Sequence, residues 1–375
     1  MAYYKLPLGV QDLLPEECYN LNLMKAKLQS VFEGAGYSFV STAILDYYDT
    51  YSDISNRIAQ EKMFKLTDSD GKLLVLRPDM TLSLARMATK HHEKHSKLCY
   101  FSNIWNAMGA GGLSSREVLQ AGVECFGRTG AFADAQLIAL AVESLLSLGV
   151  KNFIIDLGHV GFFKGLLEEY GFDDEQVEAI RLAVNAKDII GASEVVKGTP
   201  AEEAVLALPT LFGGVEVLDR AQALTASKSS LDALCHLRKV YELLASFGYE
   251  KYISIDLGTV KSLSYYSGIV FTGLVRSIGA PVLSGGRYDN LARDFASDFS
   301  AVGFAIGLKR ILLVLERQND LLPLPKADVT VIVEEGAERE GYALYQKLRA
   351  QGKSVDLKSG EREEGAYYVR KGENV

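Results

Sequence analysis

At 375 residues and 41.0 kDa, with 48% apolar residues, a net charge of −8 and a pI near 5.4, the chain can hold two or three folded units and is too acidic for a large nucleic-acid face. Cys18, Cys99, Cys125 and Cys235 lie far apart with no CxxC pair, which excludes a disulfide framework or a cysteine zinc site and points to a reducing cytoplasm. The first residues hold no basic region followed by an apolar run, and no apolar run reaches the ~18 residues that span a bilayer, so neither a signal peptide nor a membrane segment is expected.

Pro7 to Pro15 is irregular, punctuated by Gly9 and the two prolines. A helix is predicted from Glu16 to Ala35, where Leu21, Met24, Leu28, Val31 and Phe32 recur at helical spacing and Gly34 and Gly36 end the run. Tyr37–Leu45 reads as a strand. Lys62–Thr67 and Leu73–Arg77 read as a hairpin closed by Asp68-Ser69-Asp70-Gly71, with Asp-Gly as the turn signal. A helix opens near Thr81. Strands follow at Leu98–Ile104 and Val118–Phe126, then a helix at Asp134–Leu148 ended by Gly149, then a strand at Phe153–Leu157. From Gly158 to about Tyr249 helical patterns and acidic runs dominate, and strands return at Ile253–Leu257, Ile269–Leu274 and Pro281–Leu283. This predicts an α+β core over residues 1–323, an antiparallel sheet flanked by helices, with a helical insertion over about 159–249. Val302–Glu316 reads as a long amphipathic helix. Pro323 and Pro325 mark a linker, and the last residues, 324–375, carry strand, helix and strand at Val329–Val333, Arg339–Gln351 and Ser354–Leu357, a small α/β remnant.

Four segments carry recognisable chemistry. Tyr100 to Gly127 ends in Arg116, Gln120, Gly122, Glu124, Phe126 and Gly127. Gln120 and Glu124, at i and i+4 on a strand, face the same side with Gly122 between them, which leaves space above the sheet; the plainer reading is an exposed polar strand face. The whole stretch resembles the second signature motif of the class II aminoacyl-tRNA synthetases in its histidyl version. Leu76-Arg77-Pro78-Asp79-Met80-Thr81, followed by Arg86, resembles the histidyl Arg-Pro-Glu-x-Thr, whose carboxylate and hydroxyl hold the α-ammonium of the substrate; read alone, Pro78-Asp79 simply starts a helix. Lys261 to Phe271, with Tyr265 and Tyr266, resembles the histidine-specific Arg-Gly-Leu-Asp-Tyr-Tyr peptide, in which tyrosines wall an imidazole; the plainer reading is a pair of strand aromatics among 19 tyrosines. Gly285-Gly286-Arg287-Tyr288-Asp289 and Val302-Gly303-Phe304-Ala305-Ile306-Gly307-Leu308-Lys309-Arg310 resemble the third class II motif. They are also compatible with pure architecture, with glycines permitting close backbone approach.

The resemblance covers roughly residues 3–323 and implies where the chain departs from the synthetases. The position of the ATP-gripping arginine is Asn106, a second loop arginine becomes Ser114, and the catalytic arginine becomes Lys261, which cannot make the same bidentate contact. Losing one preorganised donor of this kind costs on the order of 10²–10³ in rate, so adenylation is expected to be lost. A kept amino-acid pocket with lost phosphate contacts is similar to the ATP phosphoribosyltransferase regulatory subunit family, paralogues of histidyl-tRNA synthetase. That likeness implies a non-catalytic subunit that activates a short-form catalytic partner in a hetero-octamer, pairs with itself through the synthetase-like core and senses L-histidine in the first step of histidine biosynthesis. Histidine would lie between Asp79, Thr81, Gln120 and Glu124 on the ammonium side and Tyr265 and Tyr266 on the ring side. The alternative is an atypical histidyl-tRNA synthetase. His91, His92 and His95 lack completing cysteines or carboxylates and read as a solvated helix end, so no metal and no cofactor are expected.

Overall fold

The structure, a computed structural model, describes residues 5–52, 60–90, 96–109, 115–260, 265–294, 299–361 and 363–371. It divides into two units, Met1–Leu321 and Leu322–Val375.

The first unit opens with helix α1 (Pro15–Gly34), where Pro15 holds the first helical position and Glu16 and Glu17 complement the dipole. Its buried stripe is Leu21, Met24, Leu28 and Phe32, the residues whose spacing predicts it. Gly36, at φ +80°, turns the chain out of the helix. The predicted strand Tyr37–Leu45 resolves into two short ones, β1 (Ser38–Phe39) and β2 (Leu45–Tyr47), which join different sheets. After α2 (Tyr48–Ser52) come β3 (Phe64–Thr67) and β4 (Leu73–Leu76), the predicted hairpin, with Gly71 at φ +75° in its turn. There follow α3 (Met80–Lys90), β5 (Lys97–Trp105), β6 (Glu117–Phe126), α4 (Gly130–Ser147) and β7 (Phe153–His159).

The insertion holds α5 (Val160–Glu169), α6 (Asp174–Asn185), α7 (Ile189–Val196), α8 (Glu202–Ala207), the two-residue strand β8 (Phe212–Gly213), α9 (Val217–Gln222) and α10 (Lys228–Ser246). The chain returns through β9 (Ile253–Asp256), β10 (Ile269–Val275), β11 (Pro281–Arg287), α11 (Asp289–Asp294), β12 (Ala301–Gly307) and α12 (Leu308–Gln318). The predicted helix Val302–Glu316 is therefore wrong in its first half. Val302, Phe304 and Ile306 alternate with Gly303 and Gly307, a period of two, and enter the sheet; the helical spacing begins only at Leu308, Ile311, Leu312 and Leu315.

Nine strands form one sheet in the order β1-β5-β6-β12-β11-β10-β7-β9-β8. Its centre is antiparallel, as expected, but β1 runs parallel to β5 and β9 parallel to β7. The smaller sheet β2-β4-β3 is antiparallel. The principal core lies where α1, α4, α10 and α12 cover the large sheet, and includes Phe32, Ile138, Phe163, Leu237, Phe271 and Ile311. Gly130–Ser147 is long and apolar enough by composition to cross a membrane, yet 61% of it is buried in this core.

The second unit holds β13 (Val329–Val333), α13 (Glu338–Ala350), β14 (Val355–Ser359) and β15 (Tyr367–Val369). Its sheet is wholly parallel in the order β14-β13-β15, and its own core gathers Val331, Val333, Leu344, Leu348 and Val369.

Candidate functional site

The central strands and the start of α3 enclose a cavity of about 330 Å³. All six residues singled out as ligand contacts line it: Asp79, Thr81, Gln120, Glu124, Tyr265 and Tyr266. The period of two on β6 puts Gln120, Gly122 and Glu124 on one face. A side chain at Gly122 would collide with the Tyr100 ring, and one at Gly303, opposite Glu124 on β12, would occupy the place of the Glu124 carboxylate. The glycines of these strands thus make room for the polar groups beside them.

Asp79 starts α3 and also lines the cavity. Its Oδ1 accepts the Leu82 backbone N–H at 2.9 Å and caps α3, while the Tyr265 hydroxyl lies 3.5 Å from Oδ2. Thr81 donates its hydroxyl to Glu124 Oε1 at 2.7 Å, and the Tyr288 hydroxyl donates to Glu124 Oε2. Glu124 is only 2% exposed. Burial pushes its carboxyl up, the hydroxyl bonds from Tyr288 and Thr81 pull it down, and the charge of Asp79 pushes it further, to about 8. Burial also raises Asp79, against the backbone bonds at its cap. Around these acids, among the described residues, stand four tyrosines, Tyr100, Tyr265, Tyr266 and Tyr288; the rings of Tyr265 and Tyr266 meet edge to face at 4.8 Å, and those of Tyr265 and Tyr288 lie 6.1 Å apart. No lysine or arginine occurs among the described residues that line the cavity. Two carboxyls, hydroxyls and aromatic faces suit a small organic cation, and the described lining offers no counter-charge to a phosphate chain.

The other expected positions fall elsewhere. Asn106 closes a turn, its Oδ1 accepting the Met108 backbone N–H at 3.0 Å and its own N–H donating to the Arg116 carbonyl at 2.8 Å. Ser114 and Lys261 lie outside the described residues, as do His91, His92 and His95. Arg77 is buried and donates to the carbonyls of Thr42, Ala43 and Asn103, tying three segments together behind the site. Arg310 is the third residue of α12 and donates to the Pro281 carbonyl. Among the described residues no group of three His, Cys, Asp or Glu is placed to hold a metal ion.

Two cavity residues escape motif reading as ligand contacts. Tyr288 reads only as part of the stretch that resembles the third class II motif, and Tyr100 as the first residue of the stretch that resembles the second; both are buried cavity walls. Beside Tyr288, Arg287, the last residue of β11, points to the opposite side. Its Nε and Nη2 donate to Asp134 Oδ1 at 3.1 and 2.5 Å, and Nη1 donates to Asp289 at 3.1 Å. His236 Nε2 lies 2.8 Å from the other Asp134 oxygen and joins α10 to this cluster.

A family model described as Histidyl-tRNA synthetase matches residues 9–311. An ATP phosphoribosyltransferase regulatory subunit from Acetivibrio thermocellus is 38% identical, over 98% of this chain and 91% of that one. One from Ruminiclostridium cellulolyticum is 35% identical, over 95% and 87%. A crystal structure from Bacillus halodurans, described as an ATP phosphoribosyltransferase regulatory subunit/histidyl-tRNA synthetase, superposes with a TM-score of 0.86 at 29% identity, covering 98% of both chains.

Proposed function

The chain belongs to the ATP phosphoribosyltransferase regulatory subunit family, on a histidyl-tRNA synthetase-like fold, and from that premise we propose that it senses L-histidine in the cavity between Asp79 and Glu124. It is a regulatory chain, and catalysis resides in its partner. The partner is a short-form catalytic subunit, the assembly a cytoplasmic hetero-octamer with a self-dimer of the synthetase-like core within it, and the occupied cavity lowers the activity of the partner.

The observation that carries this reading is a pair of carboxyls, the buried Glu124 and the half-buried Asp79, with no cation among the described lining residues. An amino acid supplies that cation. The α-ammonium would take the Glu124 and Asp79 oxygens and the Thr81 hydroxyl, and the imidazole would lie against Tyr265 and Tyr266. Gln120, on the same strand face, is left to the carboxylate end, where its amide N–H can donate. Feedback then needs the ligand to favour one state of the complex over another, by a coupling of roughly 1–3 kcal/mol.

Calorimetric titration of the purified chain tests this. L-histidine should bind and ATP with magnesium should not, and Glu124→Ala should weaken histidine binding sharply while the complex with the catalytic subunit still assembles. Wild-type inhibition of that mutant complex by histidine would refute the assignment of the pocket. Tight ATP binding would instead favour the synthetase reading.

A further inference from the structure

A second cleft lies on the other side of the large sheet. Glu124 and Cys125 are successive residues of β6 and face opposite ways, one into the cavity described above and the other into this cleft. The cleft has a volume of about 420 Å³, within the roughly 300–1,000 Å³ of small-ligand sites, and shares no described lining residue with the first. It opens between the end of α1, the first half of α4 and the end of α10.

Its lining combines two chemistries. One is the pair of cations Lys97 and Arg128. Lys97 is held in place, with Nζ donating to the Ala35 carbonyl at 2.9 Å and lying 5.2 Å over the Tyr37 ring. The exposed Arg128 side chain makes no ion pair among the described residues, and the positive charges of both residues bear on the Cys125 thiol. Burial holds that thiol and the Tyr37 hydroxyl in their neutral forms, so the lining offers two cations and uncharged donors. The other is an aromatic pair, Phe132 and Phe247, which meet edge to face at 6.3 Å yet remain 56% and 38% exposed. The one carboxylate among the described residues lining the cleft, Glu143, already accepts the Tyr249 hydroxyl at 2.8 Å. A cleft with two cations against one acid stands out on a chain of net charge −8.

We propose that this cleft binds a small aromatic oxyanion, its phosphate or carboxylate on Lys97 and Arg128 and its ring against Phe132 and Phe247. The charge pair gives the anion its place, and the exposed ring pair supplies apolar and edge-to-face contact that an inorganic anion cannot use. The site is separate from the histidine cavity and does not depend on what that cavity binds.

The test is titration of the full chain with phenyl phosphate, benzoate, inorganic phosphate and phenol, followed by calorimetry or ligand-observed NMR. Phenyl phosphate or benzoate should bind at least tenfold more tightly than inorganic phosphate and phenol, and the stronger of the two identifies the preferred oxyanion. Arg128→Gln, a change at an exposed side chain, should weaken that ligand about tenfold, and Phe247→Ala should reduce its advantage over the inorganic anion several-fold. Saturating L-histidine should leave the affinity unchanged. Aromatic anions that bind no more tightly than inorganic phosphate, or that do not bind at millimolar concentration, would overturn the proposal. So would affinities that neither substitution alters in a variant whose melting temperature matches the wild type.

Discussion

Glu124 and Asp134 are both buried, at 2% and 0% exposure, and lie on adjoining elements, yet the protein treats them in opposite ways. Burial pushes both up. At Asp134 the His236 bond and the Arg287 guanidinium more than reverse that push and hold the carboxyl below its ordinary range. At Glu124 the bonds come from the uncharged Tyr288 and Thr81 hydroxyls, and the carboxyl stays up at about 8. A buried acid that meets its counter-charge within the chain becomes a strut; one left with neutral partners keeps the capacity to take a cation from outside, the receptor role we propose for Glu124. The two arrangements meet at the end of β11, where Arg287 bonds the strut and the next residue, Tyr288, bonds Glu124.

The comparison breaks most visibly at the strut. Asp134→Asn leaves the Arg287 guanidinium buried without full compensation and should cost about 3–5 kcal/mol in urea unfolding. A loss below about 1 kcal/mol would mean that Asp289 and solvent suffice for Arg287.

At the receptor the effect is on binding and on its pH dependence. Since the folded carboxyl of Glu124 sits above its ordinary 4.5, the empty protein holds this proton more tightly than the unfolded chain does. The contribution of Glu124 to stability is therefore complete below about pH 4.5 and fades as pH rises through about 8. A bound ammonium reverses this preference, so histidine uptake near pH 7 should release a proton, visible as a dependence of the binding heat on the ionisation heat of the buffer. Affinity should rise with pH up to about 8, by at most about tenfold per unit. Glu124→Gln should remove the proton release and weaken binding on the order of 10- to 100-fold at pH 8. The smallest change expected is at Tyr265→Phe, which removes the hydroxyl 3.5 Å from Asp79 and should weaken histidine about two- to tenfold, equivalent to ~0.5–1.5 kcal/mol.

What sequence reading recovers and what it misses follow from range. The stripe of α1, the hairpin around Asp-Gly and the face shared by Gln120 and Glu124 depend on neighbours within a turn or two, and the pattern carries them. The segment 302–316 fails because an alternating strand runs into a helical stripe with only Gly307 between them, and apolar residues at both periods merge. Asp134 reads as an ordinary helix residue, because its partners Arg287 and His236 are 153 and 102 positions away. Tyr288 had a local sign, two glycines before it, but its contact with Glu124 spans 164 positions and only the folded sheet reveals it.

The parallel pairing of β7 and β9 also bears on how the chain tolerates insertions. With Ile155 opposite Ile253, the insertion leaves the sheet and returns to it on neighbouring strands, about 4.8 Å apart. The sheet holds the two ends of this excursion together, and the entropy of closing a loop grows only with the logarithm of its length. Changes in length are thus best accommodated in exposed turns such as 186–188, because Ile180, Val184, Val205 and Val217 of α6 to α9 are buried in the principal core and β8, between α8 and α9, pairs with β9. The boundary of that freedom is α10, which packs on α4 and α5 inside the main core and whose His236 reaches Asp134. The insertion is a loop in topology and a wall in packing.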